Sequence, residues 1–386
     1  MKTIRDTRTL AEFCDSLSAA SFITVDTEFL REKTYWPQLC LVQVSGPEEG
    51  QAQIIDPLAP GIDLSPLFGL MQNPNVVKVF HAAGQDVEIF LHLSGAIPTP
   101  LFDTQIAAMA CGFGDSVSYE TLVTQLARGR VDKTLRFTDW SARPLSDRQL
   151  EYALSDVTYL RTIYEKLHSR LIKTGRLPWL EEDMAALGDP SYYLADPDKA
   201  WRRLKIKTSK PRVLGILQEL AAWREQEARH RDLPRQRVVR DDLLVELALQ
   251  SPRTVEALGK MRGYSKQAAE GAQGTAILAA IARGLARGEN DLPVLPDRGP
   301  DFRKLGTLVD LLRVLLRHNC EEHGVSQKMI ASTSDLESIA ACQDGDVAAL
   351  HGWRYDVFGK DALALREGRL AFTMNAVEKR LIPVPL

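Results

Sequence analysis

Three β-rich runs follow one another with little chain between them, and that spacing restricts the fold more than any other feature. They lie at residues 22–25, 39–44 and 52–55. The connections are too short to hold crossover helices, so the runs read as an antiparallel meander. A helical stretch near 64–71 follows. Then come a fourth strand at 76–80, a helix at 85–93, a fifth strand near 100–102 and a helix at 104–111. Further helices fit 119–127 and 146–171. The second of these opens with Ser146 as N-cap and Gln149 three residues on, the pattern of a capping box. Three meandering strands followed by β-α-β-α is the order of a mixed five-stranded sheet with helices on its faces.

The chain then changes character. Between 199 and 212 it carries Lys199, Arg202, Arg203, Lys205, Lys207, Lys210 and Arg212 and no acidic residue. Beyond this stretch strand signals nearly vanish. Amphipathic helices fit 213–230, 240–250 and 265–283, with another beginning at Ser251-Pro252, Ser as N-cap and Pro as first helical residue. Residues 288–300 hold Gly288, Pro293, Pro296, Gly299 and Pro300 and read as a linker. The remainder, to about residue 381, reads as helical again and as a second copy of a similar module. With 386 residues, two or three domains are expected. The expected divisions are an α/β domain at 1–175, a basic linker at 176–207, a helical domain at 208–288, a linker at 289–300 and a second helical domain at 301–386.

No window is long and apolar enough to span a membrane. The N-terminus lacks the apolar core of a secretory signal. The five cysteines, Cys14, Cys40, Cys111, Cys320 and Cys342, form no CxxC pair. Reduced thiols in a cytoplasmic protein are therefore expected. The net charge of −3 excludes a chain coated in positive charge but allows a local basic patch on nucleic acid.

Asp26 and Glu28 sit at the end of the first strand. Side chains two apart on a strand share a face, so the two carboxylates converge, and a hard divalent cation resolves their repulsion. Asp86 follows the fourth strand, in the loop position favoured for ligands in α/β sheets. Tyr152 and Asp156 are four apart on one helix and share a face. Each pair alone is an ordinary feature of a strand end or a helix surface.

Together, the order D-x-E, then D, then Y-x-x-x-D resembles the DEDD exonuclease superfamily in its tyrosine-bearing branch, and within it the bacterial ribonuclease D family. The resemblance extends through Lys33-Thr34-Tyr35-Trp36-Pro37-Gln38-Leu39, Gln43, Phe80-His81-Ala82, Phe102-Asp103-Thr104-Gln105 and 139–145. Residues 208–288, best around 223–239, resemble an HRDC domain. Gly352-Trp353-Arg354 lies in what resembles the second helical domain of the same family.

The resemblance implies a ribonuclease H-like α/β exonuclease domain followed by two all-helical HRDC-type domains. It implies a 3′→5′ exoribonuclease that releases 5′-mononucleotides, trims the 3′ ends of tRNA precursors and other structured RNAs, and acts as a monomer. Two divalent metal ions, Mg²⁺ or Mn²⁺, are implied. Asp26, Glu28 and Asp156 would hold the one that activates water, and Asp26 and Asp86 the one near the leaving oxygen. Tyr152 would orient the attacking water. Thr27 and Phe29 meet the terminal nucleotide or simply pack the strand, and His81 binds phosphate or is a structural histidine. Asp103 is not counted as a ligand. Arg229, Arg231 and Arg235, with the basic stretch, either grip phosphates or belong to solvated helix faces and domain-interface ion pairs. A DNA exonuclease of the same superfamily and a nucleic-acid-binding protein with a degenerate nuclease are the competing readings.

Overall fold

Strand β1 (Phe22–Leu30) is buried from Phe22 through Val25, and β2 (Gln38–Ser45) is buried at every residue after its first. Continuous burial marks strands covered on both faces, as in the middle of an α/β sheet. The sheet has the order β3-β2-β1-β4-β5, with β3 at Gln53–Ile55, β4 at Val77–Phe80 and β5 at Leu101–Asp103. β1 runs parallel to β4 with Phe22 opposite Val77, β4 runs parallel to β5, and β2 is antiparallel to β3. The expected mixed five-stranded sheet is thus present, with β1 five residues longer than the apolar run at 22–25 indicates.

The helices of this part are α1 (Thr7–Leu17), α2 (Ser65–Met71), α3 (Gly84–Ser94), α4 (Thr104–Ala110), α5 (Tyr119–Leu122), α6 (Asp147–Thr174) and α7 (Glu181–Leu187). Helix α6 is the longest. Ser146 and Gln149 form the capping box at its start, and Gly175 ends it in the left-handed conformation. Helix α1 is an addition to the expected elements. Asp6 caps it by accepting from the Thr9 amide at 2.9 Å, and Leu10, Cys14 and Leu17 form its buried face.

The computed structural model describes residues 3–135, 138–294, 305–377 and 379–386, and its chain clusters into two compact units. The first comprises 1–27, 41–188 and 298–386; the second comprises 28–40 and 189–297.

The second unit is built on α8 (Pro190–Tyr193), α9 (Pro211–His230), α10 (Arg235–Val238), α11 (Asp241–Gln250), α12 (Val255–Gly259), α13 (Lys266–Glu270) and α14 (Ala272–Ala286). Its core gathers Leu214, Leu217, Leu220, Leu244, Leu247, Ile277 and Ile281. Helices α9 and α14 cross where Gly284 lies against Ile216; a Cβ on Gly284 would fall 2.5 Å from the Ile216 Cα. The structure corrects two local expectations. Ser251 is not an N-cap: it ends α11 with φ of 49°, and Thr254 caps α12 instead. The single helix expected at 265–283 is two, α13 and α14, broken at Gly271, whose extended backbone cannot continue a helix.

The last part of the chain returns to the first unit as α15 (Gly306–His323), α16 (Gln327–Ile330), α17 (Thr333–Ala340), α18 (Gly352–Arg354) and α19 (Lys360–Arg366). The helical reading fails at its end, where β6 (Leu370–Asn375) and β7 (Arg380–Pro385) form an antiparallel hairpin. Leu312, Leu315, Leu316 and Phe358 share one core with Val79, Phe102, Ala107 and Leu160. The indoles of Trp179 and Trp353 stack at 4.1 Å with planes 3° apart. Arg354 donates to the Met329 carbonyl at 2.8 Å and pairs with Glu182 and Asp183. The latter part of the expected linker, with Pro296, Gly299 and Pro300, and residues 301–304 lie outside the described residues.

Candidate active site

Beyond its buried half, β1 carries Asp26 and Glu28 half-exposed, with Thr27 buried between them, as the alternation of a strand dictates. Helix α6 brings Asp156 to the same place. One ligand atom each from Asp26, Glu28 and Asp156 lies within 4.8 Å of the others. Two hydroxyls pin α6 there. Thr24 on β1 donates to the Val157 carbonyl at 2.8 Å. The Tyr119 hydroxyl lies 3.0 Å from the Ser155 carbonyl and 2.6 Å from that of Asp156. Neither residue belongs to the acidic pattern, so the spacing of the acids holds no sign of them. Burial pushes the Tyr119 phenol well above its ordinary range, with the charges of Asp156 and Asp26 adding to it.

Burial raises the Asp156 carboxyl to about 7, and a hydrogen bond from the Tyr152 hydroxyl opposes the rise. Tyr152 stacks on Trp140, ring centres 6.0 Å apart. Trp140 is buried in the segment before α6, and its ring holds the tyrosine's orientation. An all-oxygen group of three converging carboxylates, one of them deeply buried, fits a hard divalent cation, whose charge would offset both the repulsion and the burial.

Asp86, in the first turn of α3, is not part of that three-acid group. Its carboxylate accepts the Thr27 hydroxyl at 2.5 Å. Burial raises Asp86 to about 7, Thr27 lowers it, and the Asp103 charge raises it further. The contact sets Asp86 directly against the strand between Asp26 and Glu28, and it commits the Thr27 hydroxyl. Asp103 itself accepts from the backbone amides of Ala82, Ala83 and Gln105. It thus caps α4 and fixes the loop ahead of Asp86.

His81 has a structural environment. Its Nδ1 lies 3.0 Å from the Thr104 hydroxyl, its ring packs 5.5 Å from Tyr119, and burial lowers its pKa. Phe29 is half-buried on β1. Of the three arginines expected on phosphate, Arg235 clamps Glu225 with two nitrogens at 2.5 and 2.7 Å. Arg229 donates to the Tyr35 hydroxyl at 3.0 Å and to the Ala195 carbonyl. Arg231 pairs with Glu227 at 3.5 Å. Arg229 and Arg235 thus both pair with buried Glu225, within the second unit rather than at a domain interface.

Sheet order, acidic cluster and helical second unit together define a class, the 3′→5′ exonucleases that carry an HRDC domain. Residues 1–172 match the family described as 3′-5′ exonuclease, and residues 213–281 match the HRDC domain. Ribonuclease D of Jannaschia sp. (strain CCS1) is 50% identical over 386 residues, covering 99% of both chains. Ribonuclease D of Granulibacter bethesdensis is 48% identical over 374 residues, covering 97% of this chain and 94% of the relative. The crystal structure of Escherichia coli RNase D, described as an exoribonuclease involved in structured RNA processing, superposes with a TM-score of 0.79 at 31% identity. That match covers 95% of this chain and 98% of the other. The chain belongs to the ribonuclease D family and is a 3′→5′ exoribonuclease, within an exonuclease family that uses divalent metal ions.

Proposed function

We propose that this exoribonuclease trims the 3′ ends of tRNA precursors and other structured RNAs, using Asp26, Glu28, Asp86, Tyr152 and Asp156, with Mg²⁺ or Mn²⁺ as the metal. The convergence of Asp26, Glu28 and Asp156 to within 4.8 Å carries this reading. Asp26, Glu28 and Asp156 would hold one ion, and Asp26 and Asp86 a second. When bound, the ions supply Lewis acidity at the scissile phosphate. Tyr152, held between Trp140 and Asp156, orients the attacking water in line with the bond to the leaving oxygen. A free tyrosine ionises only near pH 10, about three units above neutrality, so positioning rather than proton abstraction is the task proposed for this hydroxyl. The new bond joins the water oxygen to phosphorus, and the bond to the 3′ oxygen breaks. That oxygen leaves as a hydroxyl on the shortened RNA, and a 5′-mononucleotide is released.

The domain divisions that accompany this reading are 1–175, 176–207, 208–288, 289–300 and 301–386. The order in α15 to α17, a long helix, a short one and then a medium one, matches that in α9 to α11 and supports an HRDC-like origin for the last part. Incubation with a 3′-extended tRNA and a matched single-stranded DNA, in Mg²⁺, Mn²⁺ or EDTA, tests the proposal. Metal-dependent shortening of the tRNA and not of the DNA is expected. Equal cleavage of the DNA would favour a general nuclease, and binding with no shortening would overturn the catalytic assignment.

A further inference from the structure

Within the second unit, the loop that follows β1 and the helices α9 to α11 enclose a cavity of about 420 Å³. That is roughly a dozen water volumes. Its charged lining is four guanidinium groups, Arg31, Arg203, Arg224 and Arg235, against two carboxylates, Glu225 and Asp241. Both carboxylates are already committed. Glu225 takes Arg235 on both oxygens and the Tyr35 hydroxyl at 2.5 Å. Asp241 takes Arg224 on one oxygen and Gln236 on the other, each at 2.6 Å. The positive excess available to a ligand is thus carried by Arg203 and the rest of Arg224. The Arg224 side chain is only 6% exposed. Its Nη1 donates to Asp241 and to the Val239 carbonyl at 2.8 Å, leaving its other N–H groups for a ligand in the cavity. Arg203 is exposed at the rim. A concave polar site with surplus guanidinium donors and satisfied carboxylates selects an anion of phosphate geometry.

We propose that this cavity binds a backbone phosphodiester of the RNA strand whose 3′ end is being cut, with Arg203 and Arg224 as its donors. The inference rests on the exoribonuclease reading. Arg31 lies three residues after Glu28, so covalent geometry alone keeps their Cα atoms within about 11 Å. The cavity rim is therefore tied to the acidic strand by a span that a few nucleotides of extended RNA cover. A phosphate held here positions the strand without reading its sequence.

The test uses the full chain with Asp26→Asn to prevent cleavage, and a 5′-labelled twelve-nucleotide RNA. Arg203→Glu is expected to raise Kd about tenfold. The slope of log Kd against log salt should fall by about 0.7 for each phosphate that the variant no longer neutralises. Arg203→Lys should restore most of the affinity. Arg8→Glu on α1 changes net charge equally, outside the cavity, and should shift Kd less than twofold. Equal shifts in Arg203→Glu and Arg8→Glu would overturn the proposal. So would protection of the wild type from thermal unfolding by inorganic phosphate, abolished in Arg203→Glu, with RNA affinity unmoved; the cavity would then serve a small free anion. Shortening of RNA by the wild-type chain in Mg²⁺ is scored separately. Its absence defeats the activity reading, whereas normal shortening with unaltered binding by Arg203→Glu defeats only the cavity assignment.

Discussion

At the residue scale, Asp86 and Tyr152 make different contributions and should fail differently. Asp86→Asn keeps the size and the Thr27 contact but removes a charge. Turnover should fall by about a thousandfold or more, as when charged stabilisation of a transition state is lost, while the far-ultraviolet circular dichroism stays native. Full activity in that variant would overturn the place of Asp86 in the site. Tyr152→Phe removes only the hydroxyl proposed to orient the attacking water; on that proposal kcat should drop about 10- to 100-fold with KM little changed. The raised pKa of Asp86 has a thermodynamic sign. Burial lifts it to about 7 from an ordinary 3.8, so between those values the folded state binds more protons than the unfolded one. Stability conferred by this group is therefore greatest at low pH and is lost as pH rises through about 4 to 7. Melting in EDTA across that range should show the decline, and Asp86→Asn should lessen it, the rest coming from Asp156, which burial raises to the same range. Mg²⁺ added near pH 8 should recover stability in the wild type by binding the carboxylates of the folded state alone.

At the element scale, the crossing of α9 and α14 depends on a missing side chain. Gly284→Ala places a methyl 2.5 Å from the Ile216 backbone. Overpacking of this kind should cost about 1–3 kcal/mol in urea denaturation. The same scale explains what could be read from the sequence. The meander, β4, β5 and the capping box of α6 were legible because strand length, loop length and cap chemistry are local. Asp26 with Glu28, and Tyr152 with Asp156, were legible as pairs because strand and helix periods set which side chains meet. That the two pairs meet each other depends on the Thr24 and Tyr119 hydroxyls reaching the carbonyls of α6, and sequence spacing carries no trace of those hydrogen bonds. Ser251 misled because serine before proline also suits a helix end once the backbone turns left-handed. Arg229 and Arg235 misled because a run of arginines looks solvent-facing until the buried Glu225, on the same helix as Arg229, takes both.

At the scale of the whole molecule, the last helices are part of the nuclease's own unit. The Trp179–Trp353 stack and the Arg354 pairs with Glu182 and Asp183 hold them there. Trp353→Ala should remove about 2 kcal/mol or more of stability, since it strips one face from a stacked, half-buried indole. Differential scanning calorimetry should show the transition that contains the nuclease moving down. A transition that stays in place would mean that the stack contributes nothing to that unit.

The first unit also draws on the start, the middle and the end of the chain, so it has a history in time. Leu312, Leu315 and Phe358 fill the same core as Val79 and Leu160, yet they leave the ribosome after both. At about 5–20 residues per second, roughly 10–40 s pass between the emergence of Gly188 and that of Leu386. Until Leu312 and Phe358 emerge within that interval, the core that they share with Val79 and Leu160 lacks part of its filling.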